Sequence, residues 1–157
     1  MNPFDHFSKE ELKKANTLGS LACNLKKRRD EGFVSMFSST MDRYFRFFCH
    51  GRYIAYFNSK PKFDTEPKNI ILIDEIDKIE REEKLTDFMI FLKDGKTIKL
   101  KHDDESVVAS WVKSIKELKL FYKSFSQFSE EAMRKYKDKL DPRTMFAILE
   151  ELESRVL

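Results

Sequence analysis

The sequence predicts a mainly β domain: about seven antiparallel strands closed by one amphipathic helix, with helical extensions at both ends. Three observations predict it. Two aromatic-rich runs flank His50-Gly51, which is a hairpin pattern. Phe88, Ile90 and Leu92 alternate before Asp94-Gly95, and Ile98 and Leu100 alternate after it, giving a second hairpin with one apolar face. Directly afterwards Val108, Trp111, Val112, Ile115, Leu118, Lys119 and Tyr122 recur at helical spacing.

The elements follow in order. Ser8-Lys9-Glu10-Glu11 reads as a capping box, and Phe7 and Leu12 take the positions of a hydrophobic staple around it. That helix is expected to end near Asn16 or Gly19. A strand is predicted over Leu18 to Leu25, followed by the basic run Lys26-Lys27-Arg28-Arg29. Asp30 to Thr40 reads as a loop, with Phe33, Val34, Met36 and Phe37 among Gly and Ser, an apolar content unusual for a loop.

Met41 to Phe48 and Arg52 to Phe57 are the strands of the first hairpin. Asn58 to Asn69, with Pro61 and Pro67, is a loop. Ile70 to Ile73 and Ile76 to Ile79 flank Asp74-Glu75, a strand, a bend and another strand, and Glu80 to Lys84 is a charged turn. Asp94-Gly95 fits a type I′ turn, which needs positive φ at both central residues. Asp103 or Asp104 caps the helix, which runs to about Lys123 with Trp111 as its anchor on the strands. Ser129 is positioned to cap a further helix ending near Lys139. Asp141-Pro142 opens a last one, with Met145, Leu149, Leu152 and Val156 as its apolar stripe.

Composition narrows the function. Hydrophobic residues are 41% and charged residues 36% of 157, the balance of a soluble globular chain long enough to bury its own core. No run of about 18 apolar residues is present, so a membrane-spanning helix is not expected. The N-terminus lacks the basic and apolar regions of a secretory signal, and Asn2 excludes N-myristoylation. Cys23 and Cys49 fall in stretches read as strands and are expected to be reduced, partly buried thiols of an intracellular protein. His6, His50 and His102 are scattered, so no metal site is expected, and no cofactor. The sequence carries no Ser/His/Asp order, HExxH, P-loop or Gly-rich dinucleotide turn, and it has only four glycines. Catalysis is therefore not expected. Residues 13 to 60 hold ten Lys/Arg against three Asp/Glu, while the rest of the chain is slightly acidic. A local anionic partner fits that distribution better than wholesale nucleic-acid binding.

The order and spacing of these elements resemble a pleckstrin homology domain over about residues 18–123. Asn69-Ile70-Ile71-Leu72-Ile73-Asp74 is similar to the family's fourth-strand segment, and Phe88 to Lys101 to its sixth and seventh strands. Ser110-Trp111-Val112-Lys113-Ser114-Ile115 is similar to its Trp-bearing helix, Arg43-Tyr44-Phe45 to its second strand and Tyr53 to Phe57 to its third. The resemblance implies two nearly orthogonal sheets forming a barrel plugged at one end by the helix. It also implies binding rather than catalysis, with phosphoinositide headgroups held in many members between the first and second strands. Their usual signature is a first-strand Lys, then a basic residue and an Arg two apart in the second strand. Lys27 and Arg43 match its first and last positions; Met41 stands at the middle one, beside the acidic Asp42. If the first strand is registered on Gly19-Ser20-Leu21 instead, Cys23 takes the Lys position.

Three segments result: a helical extension over 1–17, the barrel domain over 18–123 and a second helical extension over 124–157. The candidate anion- or lipid-binding residues are Lys26, Lys27, Arg28 and Arg43. Phe33, Val34, Met36 and Phe37 are candidates to enter a membrane, meet a partner or pack on the chain's own extensions, and Met145, Leu149, Leu152 and Val156 to lie on the barrel or meet a partner helix. Two functions fit. One is a protein–protein interaction or scaffold module within a larger assembly. The other is a peripheral membrane protein binding phosphoinositide or another anionic headgroup. A cytoplasmic location is expected, at a membrane surface or in a cytoskeletal assembly.

Overall fold

A computed structural model describes residues 7–28, 40–60, 67–83 and 85–123, together with positions 144 and 147. Helix α1 spans Lys9–Leu18. Both bonds of the capping box form: the Ser8 hydroxyl accepts from the Glu11 amide at 3.1 Å, and Glu11 accepts from the Ser8 amide at 3.0 Å. The helix stops at Gly19, whose N–H closes back on the Ala15 carbonyl. The first strand therefore starts later than its apolar residues suggest. β1 is Ala22–Arg28, and the basic residues Lys26, Lys27 and Arg28 lie inside it rather than after it. Leu18 belongs to the helix, which runs unbroken from the cap at Ser8 to the Gly19 N–H bond on the Ala15 carbonyl.

β2 is Thr40–Phe48 and β3 is Tyr53–Phe57, paired around a tight turn. Cys49 lies in that turn, not in a strand. Cys49, His50 and Gly51 all take positive φ, at 51°, 55° and 79°. β4 is Asn69–Leu72, one 3₁₀ turn covers Ile73–Glu75, and β5 is Ile76–Arg81, so the two apolar patches are separate strands as expected. β5 runs two residues into the stretch read as a charged turn, because Glu80 and Arg81 pair with Met89 and Phe88.

β6 is Asp87–Leu92 and β7 is Thr97–Lys101. Their turn is not type I′, since only Gly95 has positive φ, at 93°. The Gly95 N–H bonds to the Leu92 carbonyl and the Leu92 N–H to the Lys96 carbonyl, the geometry of a three-residue loop with glycine at its left-handed position. Asp94 instead accepts from the Lys96 amide at 2.9 Å.

The strands form one antiparallel sheet in the order β4-β3-β2-β1-β7-β6-β5. Its two outer strands, β4 and β5, each pair on one side only, so the expected barrel is not a closed hydrogen-bonded ring. Helix α2, Glu105–Lys123, supplies the plug, with Val108, Trp111, Val112, Ser114, Ile115, Leu118 and Tyr122 buried. Asp104 accepts from the backbone and side chain of Ser106 at its start. Of the predicted stripe only Lys119 stays partly exposed, its ammonium donating to the Asp77 carbonyl. Trp111 stacks on Phe47 at 5.0 Å, meets Phe45 edge-on at 6.4 Å, and donates its indole N–H to Cys23 Sγ at 3.3 Å. Helix α1 lies on α2, where the Phe7 ring stacks on Phe121 at 5.2 Å.

A cationic pocket at the open end of the sheet

The sheet has two unlike ends. At one, the β2–β3 turn is packed under α2: the Tyr122 hydroxyl donates to the His50 carbonyl, and the Leu118 methyls press on Gly51. At the other end lie the last residues of β1 and β3, the first residues of β2 and β4, and the β6–β7 turn. There a pocket of about 520 Å³ opens, a volume in the range of small-ligand sites.

Side-chain alternation decides what enters it. β1 pairs with β2 in a register that sets Leu25 opposite Arg43, Lys26 opposite Asp42 and Lys27 opposite Met41. Residues directly opposite share a face, and buried Leu25 marks the inner one. Lys27, Met41 and Arg43 are therefore on the inner face, and Lys26 and Asp42 on the outer. This register gives the first-strand position to Lys27, not Cys23. Lys27 is only 4% exposed, with its ammonium 5.8 Å from the centre of the Tyr56 ring. Burial pushes the Cys23 thiol up, against the bond from Trp111, so Cys23 is a packed thiol rather than a reactive one.

The pocket is lined by Lys27 and Arg28 of β1, Tyr56 of β3, Asn69 of β4, and Lys96, Thr97 and Lys99 of the β6–β7 hairpin. Four of these residues are basic and none is acidic among the described residues. Arg28 and Lys99, however, each next to an inward residue, Lys27 and Leu100, have the outward register and also border an outer cleft. The hairpin lysines were not singled out in the sequence, where Lys93, Lys96 and Lys99 look like any solvated turn. Only the spatial return of the hairpin beside β1 brings Lys96 and Lys99 to the border of the pocket that Lys27 lines.

The four candidate cations do not act together. Lys27 and Arg28 line the pocket, but Arg43 does not. Its guanidinium lies along its own strand, donating to the Asp42 carbonyl at 2.9 Å and to Met41 Sδ at 3.2 Å. Lys26 faces a smaller outer cleft of about 280 Å³ with Arg28, Lys99 and Lys101, where Glu82 and Asp87 also stand. Asp103 approaches Lys26 at 4.0 Å and Asp42 sits opposite it across the strands, so the outer cleft is close to charge-balanced. Arg28 and Lys99 border both the inner pocket and the outer cleft, while Lys27 and Lys96 border the inner pocket alone. Phe33, Val34, Met36 and Phe37, like Met145, Leu149, Leu152 and Val156, lie outside the described residues.

A family model described as "PH domain" matches residues 17–120. The chain belongs to the PH domain family. Members of this family are in general non-catalytic modules that bind proteins or phosphoinositides. Among solved structures the chain is similar to the PH domain of human oxysterol-binding protein-related protein 11, with 16% identity, a TM-score of 0.53, and coverage of 63% of this chain and 78% of that one. It is similar to the N-terminal PH domain of human ARAP2 protein, with 16% identity, a TM-score of 0.54, and coverage of 78% and 91%. It is also similar to the C-terminal PH domain of pleckstrin, solved in complex with D-myo-Ins(1,2,3,4,5)P5, with 18% identity, a TM-score of 0.50, and coverage of 62% and 94%. No curated protein matches the chain. At these identities the similarity is one of fold. Among the described residues no helix is long and apolar enough to cross a membrane.

Proposed function

We propose that this PH domain binds a phosphorylated anionic headgroup in the pocket at the open end of its sheet, and so acts as a peripheral membrane protein. One observation carries the reading: Lys27, buried and inward-facing, lines a pocket whose other basic residues, Arg28, Lys96 and Lys99, border it without a lining carboxylate among the described residues. A polyphosphate needs several charge-assisted bonds to leave water, and clustered ammonium and guanidinium groups supply them. Each basic residue near an anionic leaflet contributes about 1 kcal/mol. The complex of pleckstrin's C-terminal PH domain with an inositol pentakisphosphate makes the ligand class reasonable for the same fold. The second reading is a scaffold module docking through the barrel surface and the terminal helices, favoured by Met41 and Asp42 in the second strand; its stripe Met145, Leu149, Leu152 and Val156 lies outside the described residues.

Co-sedimentation of the full chain with vesicles tests this, with and without phosphoinositide and with a soluble inositol polyphosphate as competitor. Phosphoinositide-dependent pelleting is expected, falling with salt and abolished in Lys27→Glu/Lys96→Glu. Binding to the competitor but not to vesicles assigns the pocket to a soluble ligand. No binding of either at moderate salt sinks the proposal.

A further inference from the structure

β3 and β4 are apolar on both of their faces. Register sets which residues share a face. Phe48, Tyr53 and Leu72 stand in one cross-strand row, Arg46, Ala55 and Ile70 in the next, and Tyr44 and Phe57 in a third. These rows alternate with Phe45 and Phe47, which carry Trp111 on the inner face, so they form the outer face of β2–β3–β4. A strand with one solvated face alternates apolar with polar residues, whereas a strand covered on both sides reads as a continuous apolar run. β1 and β5 are of the first kind, with Asn24, Lys78 and Glu80 exposed on their outer side. β3 and β4 are of the second: Phe48, Ala55, Phe57, Ile70 and Leu72 are no more than 2% exposed. The described helices have their packing elsewhere, α2 on β5, β6 and the 3₁₀ turn, and α1 on α2.

We infer that this outer face is a helix-docking surface and that its occupant is the chain's own C-terminal segment 141–157, seated by Met145, Leu149, Leu152 and Val156. The surface is separate from the headgroup pocket, which opens on the inner face. Three observations favour this occupant. Thr144 and Ala147, the two described positions of the segment, are helical and exposed. At 3.6 residues per turn they fall on the side of the helix opposite to the stripe, and a solvated far side is what a docked stripe requires. The dimensions match: a helix over 141–157 is about 25 Å long, and β2 is about 30 Å. The chain also leaves α2 at the right place. Tyr122 is bonded to the His50 carbonyl, so Lys123 lies where β2 hands over to β3, at the edge of this face.

The test uses the full chain with a nitroxide on Ala147→Cys, in a Cys23→Ser background where a serine oxygen can still accept from Trp111. Cys49 is fully buried and escapes the label. Amide spectra read which strands the label broadens. Loss of signal in β3 and β4, with β5 and β6 little affected, is the expected result. Leu149→Asp/Leu152→Asp is expected to restore those signals, and Glu151→Lys, on the side of Thr144 and Ala147, to leave them broadened. Broadening of other strands, or none, overturns the inference and makes the segment a hook for a separate partner protein. Labelled chain mixed with unlabelled, isotope-enriched chain tests for a second copy: broadening of the enriched chain overturns the inference in favour of a dimer.

Discussion

The hydroxyl of Tyr122 donates to the carbonyl of His50 at 2.6 Å, tying the last turn of α2 to the tip of the β2–β3 turn. That turn holds three successive residues at positive φ, two of them not glycine. Left-handed backbone costs about 1–2 kcal/mol per such residue, so something must hold it. Tyr122 is fully buried, and its burial pushes the phenol well above its ordinary pKa. It is therefore a neutral donor at neutral pH.

Tyr122→Phe removes the donor and keeps the ring. It is expected to lower stability by about 1–3 kcal/mol, the net bond plus the cost of a buried acceptor that loses this partner. Urea denaturation followed by Trp111 fluorescence reads the change. Headgroup binding at the opposite end of the sheet is expected to stay as in the wild type, which separates stability from the site.

Gly19 is the second tie at that end. A Cβ added there meets the Gly51 Cα and N at 2.6 Å, and both are backbone atoms with no rotamer to change. Gly19→Ala is expected to cost about 1–3 kcal/mol and to loosen α1 first, since α1 has to shift to relieve the contact. Amide exchange in Leu12 to Leu18 accelerating more than exchange in β2 is the confirming pattern. Uniform acceleration throughout the sheet contradicts it.

These two ties show where sequence reasoning reached its limit. The capping box at Ser8, the hairpin around His50-Gly51, the strand–bend–strand at Ile70 to Ile79 and the Trp111 stripe are local patterns, and each stands in the structure as read. The start of β1 was misplaced because Leu18 and Leu21 are as apolar as strand residues, and only the helix frame decides against them. The residues that line the pocket split the same way. Lys27 was legible from its place before Met41 and Arg43. Lys96 and Lys99 were not, because their nearness to Lys27 comes from the β1–β7 pairing, a contact between residues some seventy apart that no local pattern records. The disengagement of Arg43 is a side-chain choice below the level of pattern.

His50 gives a pH dependence. It is 4% exposed, and burial holds its imidazole below the ordinary 6.5. The folded state thus binds fewer protons than the unfolded state just below that value. His50's contribution to stability is full above the unfolded pKa and is lost as pH falls from there towards the folded pKa. The melting temperature is expected to drop on acidification from about pH 7.5 to 5.5, and His50→Gln to flatten that slope. Asp104, held low by its bonds to Ser106, acts in a separate window: its contribution is lost only below the ordinary 3.8. A His50→Gln slope equal to that of the wild type rules out His50 as the source.

The departure at Met41 can be reversed. Met41→Lys puts an ammonium directly opposite Lys27 on the inner face and removes the sulfur that accepts from Arg43. Two effects oppose each other. Like charges directly opposite across antiparallel strands destabilise by a few tenths to about 1 kcal/mol, so the unliganded protein is expected to melt lower. A bound polyphosphate neutralises that repulsion and gains another cation, which gives about 1 kcal/mol or roughly fivefold in affinity. The variant is therefore expected to be less stable alone, to bind inositol hexakisphosphate more tightly, and to gain more in melting temperature from ligand than the wild type does. Calorimetry and ligand-dependent melts measure both. Lower stability without tighter binding means that a ligand in this pocket does not reach the second strand at all.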